Sequence, residues 1–298
     1  IGAMETRSKA HAKLNLSLRV LAREDSGYHS IETLLLNLEL ADRVTVLATG
    51  TDISLTVSGD PSVPADDRNL VWQAARSLGA GQGGFGVHIE LDKRIPSAAG
   101  LGGGSADAAA VLEAINALKE EPLSRQELVR RAGVLGSDVP FGLCSSRMAF
   151  AWERGRRMIP LRPPPPRPVL VLVPGFPIAA SEAYGWMVDD RAAVGMPRPP
   201  PAVLPAPEEY SDWSTLTTIA GNDLEGPVFE RRPILRSLRD DLLEGGAVLS
   251  MLCGSGSCVA GIFERGEDMD AVAQAAGGRE GIDALRTRTL GPEDRLPG

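Results

Sequence analysis

The chain has 298 residues, 43% hydrophobic and 23% charged, as in a globular protein of one large or two medium domains. A formal net charge of −8 argues against a broad surface for nucleic acid or an anionic membrane, but allows a local basic pocket for a small anion. No apolar run approaches the roughly 18 residues that span a bilayer, and the polar N-terminus lacks a signal region. We therefore expect a cytoplasmic protein with no membrane, nucleic-acid or obligate protein partner.

The first half of the chain is predicted to begin with a half-buried strand. Residues 12–20 alternate between apolar and polar side chains without a break, which puts Lys13, Asn15 and Ser17 on one face of that strand. The other elements predicted in this half are strands at 44–48 and 53–57, a helix capped by Asp66 or Asp67 and running to Leu78, a strand at 87–91, and helices at 104–118 and 126–135.

The second half opens with an unbroken proline run at 163–166, which predicts an extended connector because proline fits neither helix interiors nor central strands. Residues 169–173 are continuously apolar and predict a fully buried strand, and the proline-rich stretch 197–207 predicts a surface loop. The remaining predicted elements are a helix at 224–243, a strand near Val248, a glycine turn, and a strand into Phe263. Strands and helices mixed without strict alternation predict an α+β protein in two lobes.

The most informative segment is 96–107, Pro-Ser-Ala-Ala-Gly-Leu-Gly-Gly-Gly-Ser-Ala-Asp, which follows a predicted strand and opens a predicted helix. Glycines let a ligand approach the backbone closely, and the free N–H groups and dipole of a helix start favour an anion. A simple strand-to-helix turn needs one or two glycines, whereas this segment has four within five positions. The segment therefore predicts a phosphate-binding loop, with the Ser105 hydroxyl able to reach a phosphate or its Mg²⁺.

Two other glycine-rich nucleotide-binding motifs match the sequence less well. A Walker loop requires Gly-Lys-Ser/Thr after its glycines, and no lysine follows here. The dinucleotide pattern G-x-G-x-x-G fails in this loop because Ser105 stands at its last glycine. The pattern does occur at Gly81, Gly83 and Gly86, but with a predicted helix before it and a strand after it, the reverse of a Rossmann site. We interpret that match as false, which disfavours a dehydrogenase.

Three motifs in order resemble those of the GHMP kinases, the family of galactokinase, homoserine kinase, mevalonate kinase and phosphomevalonate kinase. They are Ala-Lys-Leu-Asn-Leu at 12–16, the glycine loop at 96–105, and Met-Leu-Cys-Gly-Ser-Gly-Ser-Cys at 251–258. The resemblance implies the α+β, two-lobed GHMP kinase fold, with a left-handed βαβ unit in the N-terminal lobe and a ferredoxin-like C-terminal lobe. We place the ATP-binding domain at 4–160 and the second domain at 168–298.

Two further segments indicate a branch of the family. Gly-Tyr-His-Ser at 27–30 and Gly-Ser-Asp-Val-Pro-Phe at 136–141 resemble elements of the kinases that act on 4-diphosphocytidyl-2-C-methyl-D-erythritol in non-mevalonate isoprenoid biosynthesis. The resemblance implies transfer of phosphate from ATP, with Mg²⁺, to the 2-hydroxyl of this small molecule, which carries a cytidine diphosphate. The alternatives are a GHMP kinase for another alcohol, such as homoserine or mevalonate, and a nucleotide-binding relative without catalysis.

The resemblance also implies roles for individual residues. Asp138 would accept the proton of the acceptor hydroxyl, and Lys13 would lower the pKa of that hydroxyl and neutralise charge in the transition state. Having both residues argues against a non-catalytic relative. The substrate side would consist of Asn15, Tyr28, His29 and Tyr184, with the aromatic rings suited to cytosine. The ATP side would consist of Asn69, Leu70, Lys93, Pro96, Ser97, Ala98, Ala99, Gly100, Leu101, Gly102, Gly103, Gly104, Ser105 and Ala106.

The chain departs from the family pattern at two positions. Ala106 replaces a serine that is common after Ser105, which leaves Ser105 as the hydroxyl in that turn. Ala180 stands roughly where the family often has a threonine, and Ser181 beside it is the candidate substitute.

Overall fold

The computed structural model of the protein describes residues 5–23, 29–153, 155, 157–194, 205–276 and 278–294. The strands are β1 (Glu5–Arg23), β2 (His29–Thr49), β3 (Ile53–Ser58), β4 (Gly86–Asp92), β5 (Met148–Trp152), β6 (Arg157–Leu161), β7 (Pro168–Pro174), β8 (Gly221–Asn222), β9 (Leu249–Leu252), β10 (Val259–Ile262) and β11 (Ile282–Arg288). The helices are α1 (Leu70–Ser77), α2 (Gly103–Ala117), α3 (Arg125–Leu135), α4 (Val139–Gly142), α5 (Ala180–Val194), α6 (Trp213–Ile219), α7 (Glu225–Arg231), α8 (Pro233–Glu244) and α9 (Gly266–Ala276).

In the described part of the chain, the larger sheet has seven strands, with the main order β3-β4-β2-β1-β8; β5 pairs with β2, and β6 pairs with β5. Strands β1 and β2 form a long antiparallel pair whose register shifts between His11 and Lys13 and again between Asn15 and Ser17. Strands β3 and β4 are parallel and are joined through α1, which gives the βαβ unit expected of the N-terminal lobe.

The described residues of the smaller sheet form four antiparallel strands in the order β11-β7-β10-β9. Helix α8 packs on β9 and β10, and α9 packs on β7 and β11. Numbered along the chain, this is the fourth-first-third-second strand order of a ferredoxin-like sheet, so the expected α+β class and the ferredoxin-like C-terminal lobe are confirmed. Strand β8, which follows α6, pairs with β1 in the larger sheet. The domain limits of 4–160 and 168–298 stay a prediction.

Helix α2 lies in the main core and positions the glycine loop. Its residues Ala108–Ala110, Val111, Leu112 and Ile115 are buried among side chains from β1, β2 and α1. Small side chains let neighbouring elements come close: a Cβ on Gly142 of α4 would lie 2.4 Å from the Cβ of Ala109. Burial of each large aliphatic side chain stabilises the fold by about 1.5–3 kcal/mol, which fixes the helix start against β1.

Two predicted element boundaries were wrong. Helix α1 is capped by Asn69, whose side chain accepts from the Val71 N–H at 3.0 Å, because Asp66 is already used in the preceding turn as the acceptor of the Arg68 N–H. The single helix predicted at 224–243 is two helices, α7 and α8. The chain leaves helical geometry between them, and Pro233, which has no N–H to donate, starts the second helix.

Other predictions were incomplete. The strand at 12–20 extends over the whole of β1. The elements that were not predicted are the early part of β2 and β5, β6, β8, β11, α4, α5, α6 and α9. Residues 197–204 of the proline-rich stretch lie outside the described residues, and a short 3₁₀ helix, Pro207–Ser211, follows. The interpretation of Gly81–Gly86 is confirmed, because α1 precedes these glycines and β4 follows them. Within the described part of the chain, no helix is long and apolar enough to cross a membrane.

Candidate active site

Two clefts meet at the glycine loop. The first, which we call the large cleft, has a volume of about 880 Å³ and is lined by Lys13, Asn15, His29, Asp138 and Tyr184, among others. The second, the loop cleft, has a volume of about 400 Å³ and is lined by the loop from Pro96 to Ser105 together with residues 63–64 and 68–70, Lys93 and Asp107. Gly100, Gly102 and Ser105 line both clefts, so a group bound in one lies beside a group bound in the other.

The glycine loop leaves the first turn of α2 open to the loop cleft. Gly102 is the N-cap of α2 in a left-handed conformation, with φ 72°, and no side chain among the residues that the structure describes caps the first turn. The N–H groups of that turn therefore have no side-chain acceptor and favour an anion. A Cβ at Gly104 would meet no atom within 4 Å, whereas a Cβ at Gly102 would lie 2.9 Å from the Lys13 side chain. The loop thus has the shape predicted for a phosphate site.

The glycine turn at 253–258 packs directly against the loop. A Cβ on Gly100 would lie 1.7 Å from the Cys253 carbonyl oxygen, so only glycine fits this approach. The N–H of Cys258 donates to the Ala99 carbonyl at 3.4 Å. The position of a Cβ on Gly254 is 3.4 Å from the Lys13 Nζ. All three sequence motifs therefore meet at one place.

Lys13 is held by a chain of hydrogen bonds across β1 and β2. Its ammonium donates to Asn15 Oδ1 at 2.6 Å, Asn15 Nδ2 donates to Thr33 Oγ1 at 2.8 Å, and the Thr33 hydroxyl donates to the Ser17 carbonyl at 2.8 Å. The Lys13 side chain is only 8% exposed, and its Nζ lies 3.3 Å from Asp138 Oδ2. The structure thus brings together the predicted Lys13, Asn15 and Asp138. Thr33 was missed, because it is found only from the register of the two strands.

Asp138 stands at the start of α4, and its carboxylate makes no cap bond to its own helix. The side chain is one-third exposed and lines the large cleft. The turn that carries it approaches another backbone segment closely, since a Cβ on Gly155 would lie 1.9 Å from the Ser137 carbonyl oxygen. This close contact constrains the turn from which Asp138 projects.

Lys93 lies at the loop cleft, but its ammonium is bound by two buried carboxylates. It pairs with Asp42 and, at 2.7 Å, with Asp107 of α2. Asp42 also accepts the Ile95 N–H at 2.8 Å, which ties the end of β4 to the same cluster. Burial raises the pKa of Asp107 to about 7, although the positive charge of Lys93 acts to lower it. Lys93 therefore fastens the loop to α2, and a direct contact of its ammonium with ATP stays a prediction. Sequence reasoning missed both carboxylates.

Two aromatic side chains predicted for the substrate are stacked in the large cleft. The rings of His29 and Tyr184 have centroids 5.2 Å apart and planes inclined by 17°. Burial, with a smaller effect of the Asp138 charge, raises the pKa of Tyr184 to about 12, so its hydroxyl stays neutral. Ser181, the candidate substitute near the start of α5, also lines this cleft. Tyr28 lies outside the described residues.

The other residues predicted to bind ATP lie in two different parts of the structure. Asn69 and Leu70 line the loop cleft, and Asn69 is held there because its amide donates to the Pro64 carbonyl at 2.7 Å while its oxygen caps α1. Ala106 instead lines a small cavity on another side of α2, with His11 and other residues.

Comparison with known proteins agrees with this geometry. The chain matches the GHMP kinases N terminal domain over residues 69–146 and the GHMP kinases C terminal domain over residues 207–283. It belongs to the GHMP kinase family and is an ATP-dependent small-molecule kinase.

The particular branch follows from its relatives. The 4-diphosphocytidyl-2-C-methyl-D-erythritol kinase of Moorella thermoacetica is 39% identical, over 89% of this chain and 92% of its own. The enzyme of the same name from Chlorobium phaeovibrioides is 39% identical, over 86% of this chain and 87% of its own. A solved 4-(cytidine 5'-diphospho)-2C-methyl-D-erythritol kinase superposes with a TM-score of 0.72 at 32% identity, covering 96% of this chain and 100% of its own. Within the GHMP family, the chain belongs with these kinases.

Proposed function

We propose that the chain transfers the γ-phosphoryl group of ATP to the 2-hydroxyl of 4-diphosphocytidyl-2-C-methyl-D-erythritol, which yields the 2-phosphate and ADP in non-mevalonate isoprenoid precursor biosynthesis. The observation that carries the proposal is the pair of Lys13 and Asp138, 3.3 Å apart, beside the loop shared by the two clefts. The two relatives, both named as kinases of this acceptor, support the choice of acceptor over homoserine or mevalonate. A cytoplasmic location is proposed with it.

The two clefts suit two substrates. ATP would occupy the loop cleft with its phosphates at the first turn of α2, where the open N–H groups and the helix dipole attract negative charge. The acceptor would occupy the large cleft, which is about twice the volume and contains the aromatic stack of His29 and Tyr184. Both would then approach each other at Ser105 and Gly102.

The transfer itself requires positioning and management of charge. The oxygen of the acceptor hydroxyl bonds to the γ-phosphorus, and Asp138 accepts the proton that this hydroxyl loses. The bond from the γ-phosphorus to the ADP oxygen breaks at the same time. Lys13 stabilises the negative charge that develops on the transferred group. Asn15 holds the Lys13 ammonium at 2.6 Å, which reduces the reorganisation needed during the reaction.

Mg²⁺ would be held by the Ser105 hydroxyl together with phosphate oxygens. Mg²⁺ prefers oxygen ligands and is commonly bound by one or two protein groups plus the phosphates of its substrate. Ser105 fits this role because it lines both clefts at the start of α2. The ion would supply charge neutralisation at the phosphates.

The cytosine head group would extend the stack formed by His29 and Tyr184, with Tyr28 and a hydrogen bond from the imidazole adding further contacts. Stacking of an aromatic side chain on a base contributes roughly 1–3 kcal/mol. The neutral Tyr184 ring presents an apolar face without introducing charge next to Asp138.

Product analysis by ³¹P NMR tests the proposed reaction. With MgATP and the cytidine acceptor, we expect a new phosphomonoester resonance on the acceptor in equal amount to ADP, while the acceptor's diphosphate resonances persist. Asp138→Asn should suppress both products together. ADP formation without a new phosphomonoester would identify hydrolysis and overturn the proposal.

A further inference from the structure

The loop cleft has a polar end and an apolar end. The polar end consists of the open first turn of α2. The other end is lined by the half-buried Val63, Pro64 and Leu70, together with Asn69, whose amide donates to the Pro64 carbonyl and accepts the Val71 N–H. A nucleotide has the same division into anionic phosphates and a flat base with large apolar faces. The apolar end is therefore where the base fits.

Arg68 borders that end with its flat faces unused. Its side chain is 76% exposed and is held by Asp66 through Nε to Oδ1 at 3.0 Å and Nη2 to Oδ2 at 2.7 Å. The same carboxylate accepts the Arg68 N–H at 3.0 Å, so the pair closes within one short turn. A bidentate ion pair of this kind occupies one edge of the guanidinium and fixes its plane, but leaves both faces accessible.

Arg68 is also the cation available to a nucleotide in this cleft. Among the described residues that line the loop cleft, the cationic side chains are Lys93 and Arg68. The Lys93 side chain is 4% exposed, and its ammonium is bound by Asp42 and Asp107. Arg68, by contrast, is paired with one carboxylate at the cleft mouth.

We propose that Arg68 stacks its guanidinium on the adenine ring of bound ATP and covers the solvent side of the base, with Asp66 acting as a positioning residue. This inference rests on the proposed binding of ATP in the loop cleft. Base stacking is favoured over a phosphate contact because the neighbours of Arg68 form the apolar end and because one hydrogen-bonding edge of the guanidinium is already occupied by Asp66. Arginine stacks on aromatic rings through dispersion and the attraction of its charge to the π face.

Titration calorimetry with AMP, ADP and ATP tests the inference. Arg68→Ala should weaken binding of all three nucleotides by the same factor, about two- to fivefold, which is the effect of one cation–π contact at an exposed site. Arg68→Lys should recover only part of the loss, because lysine lacks the planar face. Asp66→Asn, which keeps the acceptor for the Arg68 N–H, should cause a smaller loss, and none when Arg68 is already alanine. Arg76→Ala, which removes the same charge from the exposed side of α1, should bind like wild type.

The outcomes separate this inference from the function on which it rests. A loss that grows from AMP to ATP would mean that Arg68 contacts phosphates, and unchanged binding would mean that it contacts nothing; either overturns the inference. If Gly104→Val, which fills the polar end, leaves nucleotide binding intact, the assignment of ATP to the loop cleft fails instead.

Discussion

Replacing Asp138 by asparagine preserves the size of the side chain but removes its charge and its ability to accept a proton. Lys13, 3.3 Å away, would lose its carboxylate partner and keep the Asn15 oxygen at 2.6 Å. At an effective dielectric constant of about 20, two unit charges at such a distance interact by roughly 4–5 kcal/mol. Because Asp138 is one-third exposed, solvent screening reduces this to about half. This attraction is present in the resting enzyme, so its loss changes kcat only to the extent that it differs between the ground state and the transition state.

Loss of the base acts on kcat directly. General acid–base help is usually worth 10²–10⁴-fold, or about 2.7–5.4 kcal/mol, so we expect kcat of Asp138→Asn to fall by a factor in that range. Both substrates should still bind, since the clefts are unchanged. The assay is coupled ADP release at saturating ATP and acceptor, with calorimetry to verify binding. Asp270→Asn, an isosteric change on the exposed side of α9, is the matched control and should keep wild-type kcat.

A double-mutant cycle tests whether Lys13 and Asp138 act as a unit. Lys13→Met keeps an apolar stem beside Gly102 and should also lower kcat sharply. The double variant should be little slower than the slower single variant, because residues that act together are not additive. Near-normal turnover by Asp138→Asn would refute proton removal by this residue and leave positioning and charge neutralisation as the mechanism.

Three further perturbations address binding and stability. Gly104→Val should raise the KM for ATP at least tenfold without unfolding the protein, since a Cβ there meets no protein atom; an unchanged KM at unchanged Tm would count against the phosphate site. Replacing Tyr28 and His29 together by alanine should weaken binding of the cytidine acceptor by roughly 1–3 kcal/mol and hardly affect ATP, as measured by calorimetry; loss of ATP binding instead would reverse the assignment of the clefts. Burial, and secondarily the charge of Arg147, lowers the pKa of His11 from 6.5 to about 4. Between pH 6.5 and 4, the unfolded chain therefore binds a proton at His11 that the folded chain does not bind. The free energy of unfolding should fall by up to roughly 3 kcal/mol as the pH drops over this range. His11→Asn should flatten this dependence in urea titrations, and a slope equal to that of wild type would contradict it.

Much of the site follows from local pattern and family resemblance. The alternation at 12–20 put Lys13 and Asn15 on one face, and the glycine density at 100–104 predicted the open start of α2. Each of these signals is contained within a few neighbouring residues, where strand periodicity and turn geometry act directly.

Long-range features could not be predicted in this way. Asp42 and Lys93 are 51 residues apart and meet through the pairing of β2 with β4, which no short window contains. Thr33 reaches Asn15 only through the shifted register of β1 and β2. The early part of β2 was missed because Leu34–Leu36 are buried without a break in the middle of a sheet, so the period of two that marks a half-buried strand is absent.

The most direct test of the central claim is a comparison of kcat/KM for phosphoryl transfer from ATP to three acceptors: 4-diphosphocytidyl-2-C-methyl-D-erythritol, homoserine and mevalonate. The large cleft, with its stacked His29 and Tyr184, offers binding energy to a cytosine head group that the two smaller alcohols lack. Stacking and one or two hydrogen bonds together are worth several kcal/mol, so the cytidine acceptor should be preferred by at least 10³-fold. An equal or higher kcat/KM with homoserine or mevalonate would contradict the proposed substrate while leaving the kinase fold and the Lys13–Asp138 pair intact.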